Sequence, residues 1–314
     1  MLNKQQLYKV VKWLFALGAY GYLAYKLIVF DQYDSIFSEW KQTPPTKFTW
    51  LLATLVLLPL NLLLESLKWK KITQNSFTLT TYSALKSVLS GICSGFFTPN
   101  RIGDFVGRIS YLPSSARAQG ITLSIVNSLT QNLTILLCGI PACVLFFISF
   151  YHSDSNSNIF LYLILTFVFL LLLGLFYFSL PRLSKRISSE KIKRFTDCLS
   201  GYTLAQLGEI MAISIFRYCV FFAQFFLMLR FFNVELTVWQ AAIAIPANYL
   251  LVTFTPSFAF SEAAVRGSYA VFFIGMFASN TVGIAFSGIL IWLINTVTPM
   301  LIGSVFLLKS KSSN

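Results

Sequence analysis

The run IFLYLILTFVFLLLLGLFYFSL, from Ile159 to Leu180, decides the class of fold. It contains no Asp, Glu, Lys or Arg. About 20 apolar residues in a helix cross the hydrocarbon core of a bilayer. A helix that is apolar on every side has no polar face to turn toward water, so this one is expected to face lipid. Outward from it, similar runs recur at Val11–Phe30, Phe48–Leu67, Ile121–Phe150, Leu199–Leu229, Val238–Thr255 and Ile284–Leu308. Pro141 marks a place where the long fourth run can kink. The whole chain of 314 residues is 56% hydrophobic and only 11% charged, with a mean hydropathy of +0.70. A soluble domain of this size cannot hide that much apolar surface.

Two further stretches are apolar but atypical. Leu79–Phe97 carries Ser83, Ser87, Ser90, Gly91, Ser94 and Gly95 at spacings of three and four. Such a stripe lets helix backbones approach closely inside a bundle. Ala263–Phe277 is short for a span. Both are expected to be re-entrant or broken helices, tolerated at membrane depth only against protein or a wet cavity. The expected architecture is an all-α, polytopic transmembrane helix bundle of about 7–8 membrane segments. It forms a single integral membrane domain over 1–314, with pseudo-repeat halves at 1–150 and 159–308.

Net charge is +13, with 24 Lys and Arg against 11 Asp and Glu. In a soluble protein this would suggest nucleic acid. Here the basic residues flank apolar runs, so anionic lipid is the expected partner and nucleic acid is not. Of the 24, 18 fall at Lys4, Lys9 and Lys12, within Lys68–Arg117, within Arg182–Arg194, and at Lys309 and Lys311. That alternation predicts that both termini lie in the cytoplasm. It requires Leu79–Phe97 to enter and leave on one side; a full crossing would invert everything downstream. The first apolar run lacks a small-residue cleavage site and reads as a span rather than a leader.

Cofactor chemistry finds little support. Cys93, Cys138, Cys143, Cys198 and Cys219 form no C-x-x-C pair and read as buried reduced thiols. His152 is the single histidine, so a metal site or a Ser-His-Asp triad is not expected. No nucleotide-binding loop is evident, which leaves ATP out as the direct energy source.

Two segments resemble each other. Phe97-Thr98-Pro99 is followed by Asp104 and Arg108, and Phe254-Thr255-Pro256 by Glu262 and Arg266. In each, proline ends a small-residue helix and a new helix can start. The acid then sits in its first turn, where the macrodipole favours it, and the Arg follows four residues later on the same face. One explanation is two acid-capped helix N-termini, with Arg101 and Arg108 meeting lipid phosphate. The other is an internal repeat whose broken helices meet near mid-membrane and point at an anionic substrate.

Other polar groups interrupt apolar runs. Ser124, Asn127, Ser128 and Gln131 form a stripe that is either interhelical glue or a cavity lining. Glu65, beside Lys68 and Trp69, reads as an interfacial anchor. Arg217 falls near mid-span, two turns from Glu209, and needs a partner such as Asp104, Glu262 or a lipid phosphate. Asn248, just after Pro246, either lines the same site or serves packing.

At these motifs the chain resembles the lysylphosphatidylglycerol synthase transmembrane-region family, which includes stand-alone flippase-like membrane proteins. Asn61 to Lys70 looks like the family's span ending in a basic-Trp-basic sequence. Thr98-Pro99-Asn100-Arg101-Ile102-Gly103-Asp104 with Arg108 is similar to its Thr-Pro-Gly-Arg-Ile-Gly-Glu…Arg motif, with Asn100 for Gly and Asp104 for Glu. Pro256 to Glu262 stands where the family has a Gly-rich loop ending in Arg-Glu, with Phe258, Ala259, Phe260 and Ser261 replacing the glycines and arginine.

The resemblance implies binding, and movement between leaflets, of a polar-headed or polyprenyl-linked anionic lipid. Arg101, Asp104, Arg108, Glu262 and Arg266, joined by Arg217 and Asn248, are the expected substrate-binding residues. Thr98, Pro99, Gly103 and Pro256 are the expected structural ones. No cofactor, no metal and no enzymatic step are expected. The rival from another class is a non-transporting membrane subunit or a scaffold for a cell-envelope lipid or glycan enzyme, and the protein partner expected is such an enzyme or a second copy in a homo-oligomer. A membrane enzyme using the two acids is the third, although no nucleophile–base pair accompanies them.

Overall fold

Short polar residues start four of the helices. The side chains of Thr80, Thr203, Thr237 and Asn280 each accept a backbone N–H from the first turn that follows, and Gln206 and Gln240 complete capping boxes with Thr203 and Thr237. These caps satisfy N–H groups that the helix itself cannot. The computed structural model describes residues 45–113, 116–151, 159–186 and 196–311, with scattered positions at 21–34, 189 and 193. The expected span Val11–Phe30 and His152 lie outside the residues it describes, apart from isolated positions of that span.

Among the described residues the chain is all-helical, with no strand. In order come α1 (Phe48–Thr73), α2 (Thr81–Phe96), α3 (Gly103–Ile109), α4 (Arg117–Tyr151) and α5 (Ile159–Lys185). Then follow α6 (Leu204–Phe231), α7 (Val238–Phe254), α8 (Ala259–Ile274), α9 (Thr281–Trp292) and α10 (Thr298–Lys311). A π turn, Leu293–Val297, joins α9 to α10. Among the described residues, five helices are long and apolar enough to cross a membrane: Pro45–Thr73, Arg117–Phe150, Phe160–Lys185, Leu204–Phe231 and Thr281–Phe306. α4 runs unbroken through Pro141. α5 is largely exposed, as its all-round apolar surface predicts for a lipid-facing helix.

At 17 residues α7 is shorter than the five long apolar helices, and it turns at Thr255–Phe258 into α8. Leu79–Phe97 ends in a turn as well. After α2 the chain turns at Phe97–Ile102, and α3 packs back along α2. The serine–glycine stripe serves that turn-back. A methyl group on Gly107 would lie 2.3 Å from the Ser90 carbonyl oxygen, and one on Gly103 2.3 Å from that of Ser94. Only a missing side chain permits this approach.

The elements repeat in order, with opposite direction. α1, the hairpin α2–α3 and α4 are matched by α6, the hairpin α7–α8 and α9–α10, while α5 stands between the two sets. α1 and α6 are antiparallel neighbours. Phe48 meets Phe231, Gln224 donates to the Thr54 carbonyl at 3.1 Å, and Tyr202 donates to the Ile72 carbonyl. Each hairpin's first arm packs on the other set's last helix: α2 on α10, with Gly303 against Leu89, and α7 on α4, with Gly139 against Leu250. The hairpins therefore enter from opposite ends of the bundle.

Lys70, Lys71, Arg117, Arg182 and Lys185 gather at the end from which α2–α3 enters. The five cysteines are free, but only Cys93 is buried; Cys219 is exposed on α6, contrary to the expectation that all five are buried.

Candidate functional site

The two hairpin tips meet. The Asn100 N–H donates to the Ser257 carbonyl across 3.5 Å. The first tip is closed by Thr98, whose hydroxyl accepts the Gly103 N–H at 2.7 Å and donates to the Gly95 carbonyl at 3.1 Å. Asn100 and Arg101 take positive φ, 51° and 57°. Asn tolerates the left-handed region better than most residues, which suits it to the place where the resembled motif has Gly. In the second tip the Ser261 hydroxyl accepts the Phe258 N–H at 3.1 Å, so the serine standing where the family has arginine closes the turn.

Each tip presents its acid and its arginine one turn apart, as the spacing predicts. Arg108 Nε donates to Asp104 at 2.7 Å, and Arg266 Nη2 to Glu262 at 2.8 Å. Arg101 crosses between the hairpins and donates to Glu262 at 2.7 Å and to Thr296 in the π turn at 3.1 Å. Arg101, Asp104, Arg108, Glu262, Arg266 and Arg217 all line one cavity of ≈ 560 Å³. Asn248 is not among the lining residues; it is buried in α7.

Glu65 is the centre of the site rather than an interfacial anchor. Its carboxylate, 2% exposed, pairs with Arg108 at 2.7 Å, Arg217 at 2.9 Å and Lys68 at 3.0 Å, and accepts from Asn127 at 2.8 Å. The anchor expectation failed because it placed Glu65 at the membrane surface. The α2–α3 hairpin carries Arg108 back into the bundle and buries that end of α1. Arg217 therefore finds Glu65 rather than Asp104, Glu262 or a phosphate, and is held further by Asn61 at 2.8 Å and Gln131 at 3.1 Å. Glu209 takes no part; it pairs with Lys71 near the basic end.

The polar stripe of α4 divides by position. Asn127, Ser128 and Gln131 line the cavity, whereas Ser124 donates to the Gly120 carbonyl of its own helix. A polar chain leads on from Arg217: Asn61 donates to Asn295 at 3.1 Å, and Asn295 to Gln224 at 2.9 Å. Asn295 and Thr296 belong to the π turn, a helix irregularity often found at functional positions. The composition of α9–α10 gave no sign of it. Polar residues spaced along α1, Asn61, Glu65 and Lys68, were the signal that could have revealed the centre.

A carboxylate this buried is stable only with its partners in place. Removing one member of a buried network leaves an uncompensated charge and costs about 3–5 kcal/mol. Arg108 is likewise held, 5% exposed and stacked 5.4 Å from the Trp69 ring. Arg101, at 46% exposure, is the accessible cation of the set. Among the described residues no group of three or more His, Cys, Asp or Glu is placed to hold a metal ion. Comparison with protein-family models, curated proteins and solved structures found no match to this chain.

Proposed function

We propose that this chain is a bacterial inner-membrane lipid transporter of the flippase-like kind, with both termini cytoplasmic, that takes an anionic lipid headgroup between its two hairpin tips. The observation that carries the reading is the cavity itself: an arginine-rich, charged space where two oppositely directed broken hairpins meet inside an apolar bundle. Guanidinium groups hold phosphate through paired hydrogen bonds that an ammonium cannot supply. Hairpins entering from opposite ends around one site are the kind of arrangement that rocking between two access states requires. The basic end supports a cytoplasmic assignment for the side from which α2–α3 enters. The sequence resemblance to flippase-like proteins points the same way.

Reconstitution tests it. Purified chain in liposomes should move a fluorescent anionic phospholipid between leaflets faster than empty liposomes do. Arg101→Gln should remove most of that rate while leaving expression and thermal stability close to wild type, because Arg101 is half exposed. Wild-type transport by Arg101→Gln would defeat the site. No lipid movement above empty liposomes would defeat the function.

A further inference from the structure

We infer that the ligand of this cavity is a phosphomonoester in its doubly charged form. The inference rests on the anionic-lipid reading above and narrows it to a headgroup class. Five cations, Lys68, Arg101, Arg108, Arg217 and Arg266, meet three carboxylates in two sets of ion pairs, one around Glu65 and Asp104 and one around Glu262, and all of them but the buried Lys68 line the cavity. Two positive charges are left over.

Excess charge beside a low-dielectric bundle is costly, and a bound anion offsets it. A phosphodiester headgroup carries one negative charge and leaves one cation uncompensated. A zwitterionic headgroup leaves both. A phosphomonoester carries close to two at neutral pH, its second ionisation lying near about pH 6, and offers three acceptor oxygens.

The donors for those oxygens are on hand. Arg101, Arg217 and Arg266 keep part of their surface open while contributing to the lining. Three buried donors of the lining residues, Arg266 Nε, Arg108 Nη1 and Gln131 Nε2, have no hydrogen-bond partner, and of the neutral lining acceptors Asn127 Oδ1 is likewise unpartnered. The apolar part of the lining, Ile92, Phe96, Phe105, Val252, Phe254 and Phe258, suits a headgroup that arrives attached to a hydrocarbon chain. The volume of ≈ 560 Å³ falls within the range of about 300–1,000 Å³ common for small-ligand sites.

The test compares lipids of equal chains and unequal headgroup charge. The full chain in phosphatidylcholine nanodiscs would be titrated with dioleoyl phosphatidate, a monoester, and with dioleoyl phosphatidylglycerol, a diester, and bound lipid counted by native mass spectrometry. At about pH 7.5 phosphatidate should be held at least ~10-fold more tightly, and at about pH 5.5, where the monoester loses one charge, the preference should fall toward equality. Arg266→Gln should shrink the preference by removing one surplus charge.

Equal retention at the higher pH, or a preference that does not change with pH, overturns the inference. If water-soluble sn-glycerol 3-phosphate competes as well as phosphatidate binds, the lipid source is overturned. Preference for the monoester without lipid movement in liposomes would sink transport and sustain this inference. Movement without preference would do the reverse.

Discussion

The two hairpins share a motif but solve the same problem differently. In the first, the returning arm α3 is only seven residues long and is held by glycine-mediated backbone contact with α2. Its Arg108 is sunk into the Glu65 centre. In the second, α7 and α8 are nearly equal in length, and Glu262 faces the cavity and reaches across to Arg101. The first hairpin is thus anchored to the bundle through a buried charge. The second meets its partner mainly through one half-exposed cation. Both hairpins pack into the bundle's apolar core, so the difference lies in how deeply each tip's charges are buried.

That contrast can be broken most severely at Gly107. Gly107→Leu forces side-chain atoms toward the Ser90 carbonyl and should cost about 3 kcal/mol or more, read as a large drop in Tm in detergent. Gly208→Ala, where a new methyl meets nothing within 4 Å, should change Tm little and serves as the control. The next largest effect separates the two acids. Glu65→Gln leaves Lys68, Arg108 and Arg217 without their common counter-charge and should cost about 3–5 kcal/mol. Glu262→Gln should cost less, about 1–3 kcal/mol, because Arg101 can turn toward water. Equal costs would erase the distinction between the buried acid and the cavity-facing one. The smallest effect lies at the first tip. Asn100→Gly should be neutral or stabilising by up to about 1 kcal/mol, since it relieves a left-handed residue, whereas Asn100→Val should destabilise by about 1–2 kcal/mol.

The sequence carried the helical class, five of the long apolar helices and both hairpins, because apolar length, small-residue spacing and proline are local signals. It carried the Asp104–Arg108 and Glu262–Arg266 pairs for the same reason: four residues on a helix fix a face. It did not show that Val238–Thr255 forms the first arm of a hairpin, since a 17-residue apolar helix reads alike whether it runs on or turns back. It missed Glu65 as the centre because burial there is set by partners 43 and 152 residues away, Arg108 and Arg217, and no local pattern encodes that meeting. Asn295 and Thr296 were missed because a π turn leaves no mark in an apolar helix. Arg101 was expected to bind substrate alongside Glu262; the cross-hairpin pair between them only became visible once the tips were brought together.

The meeting of the tips is therefore the claim on which the rest depends. In a cysteine-free background, Asn100→Cys and Ser257→Cys would be introduced together and treated with a mild oxidant in membranes. The backbone contact of 3.5 Å between these residues brings them within disulfide reach. A disulfide forming in high yield, with lipid movement stopped and then restored by reductant, is the predicted result. Two thiols that stay free under oxidation, while single-cysteine controls at the same positions behave alike, would contradict it.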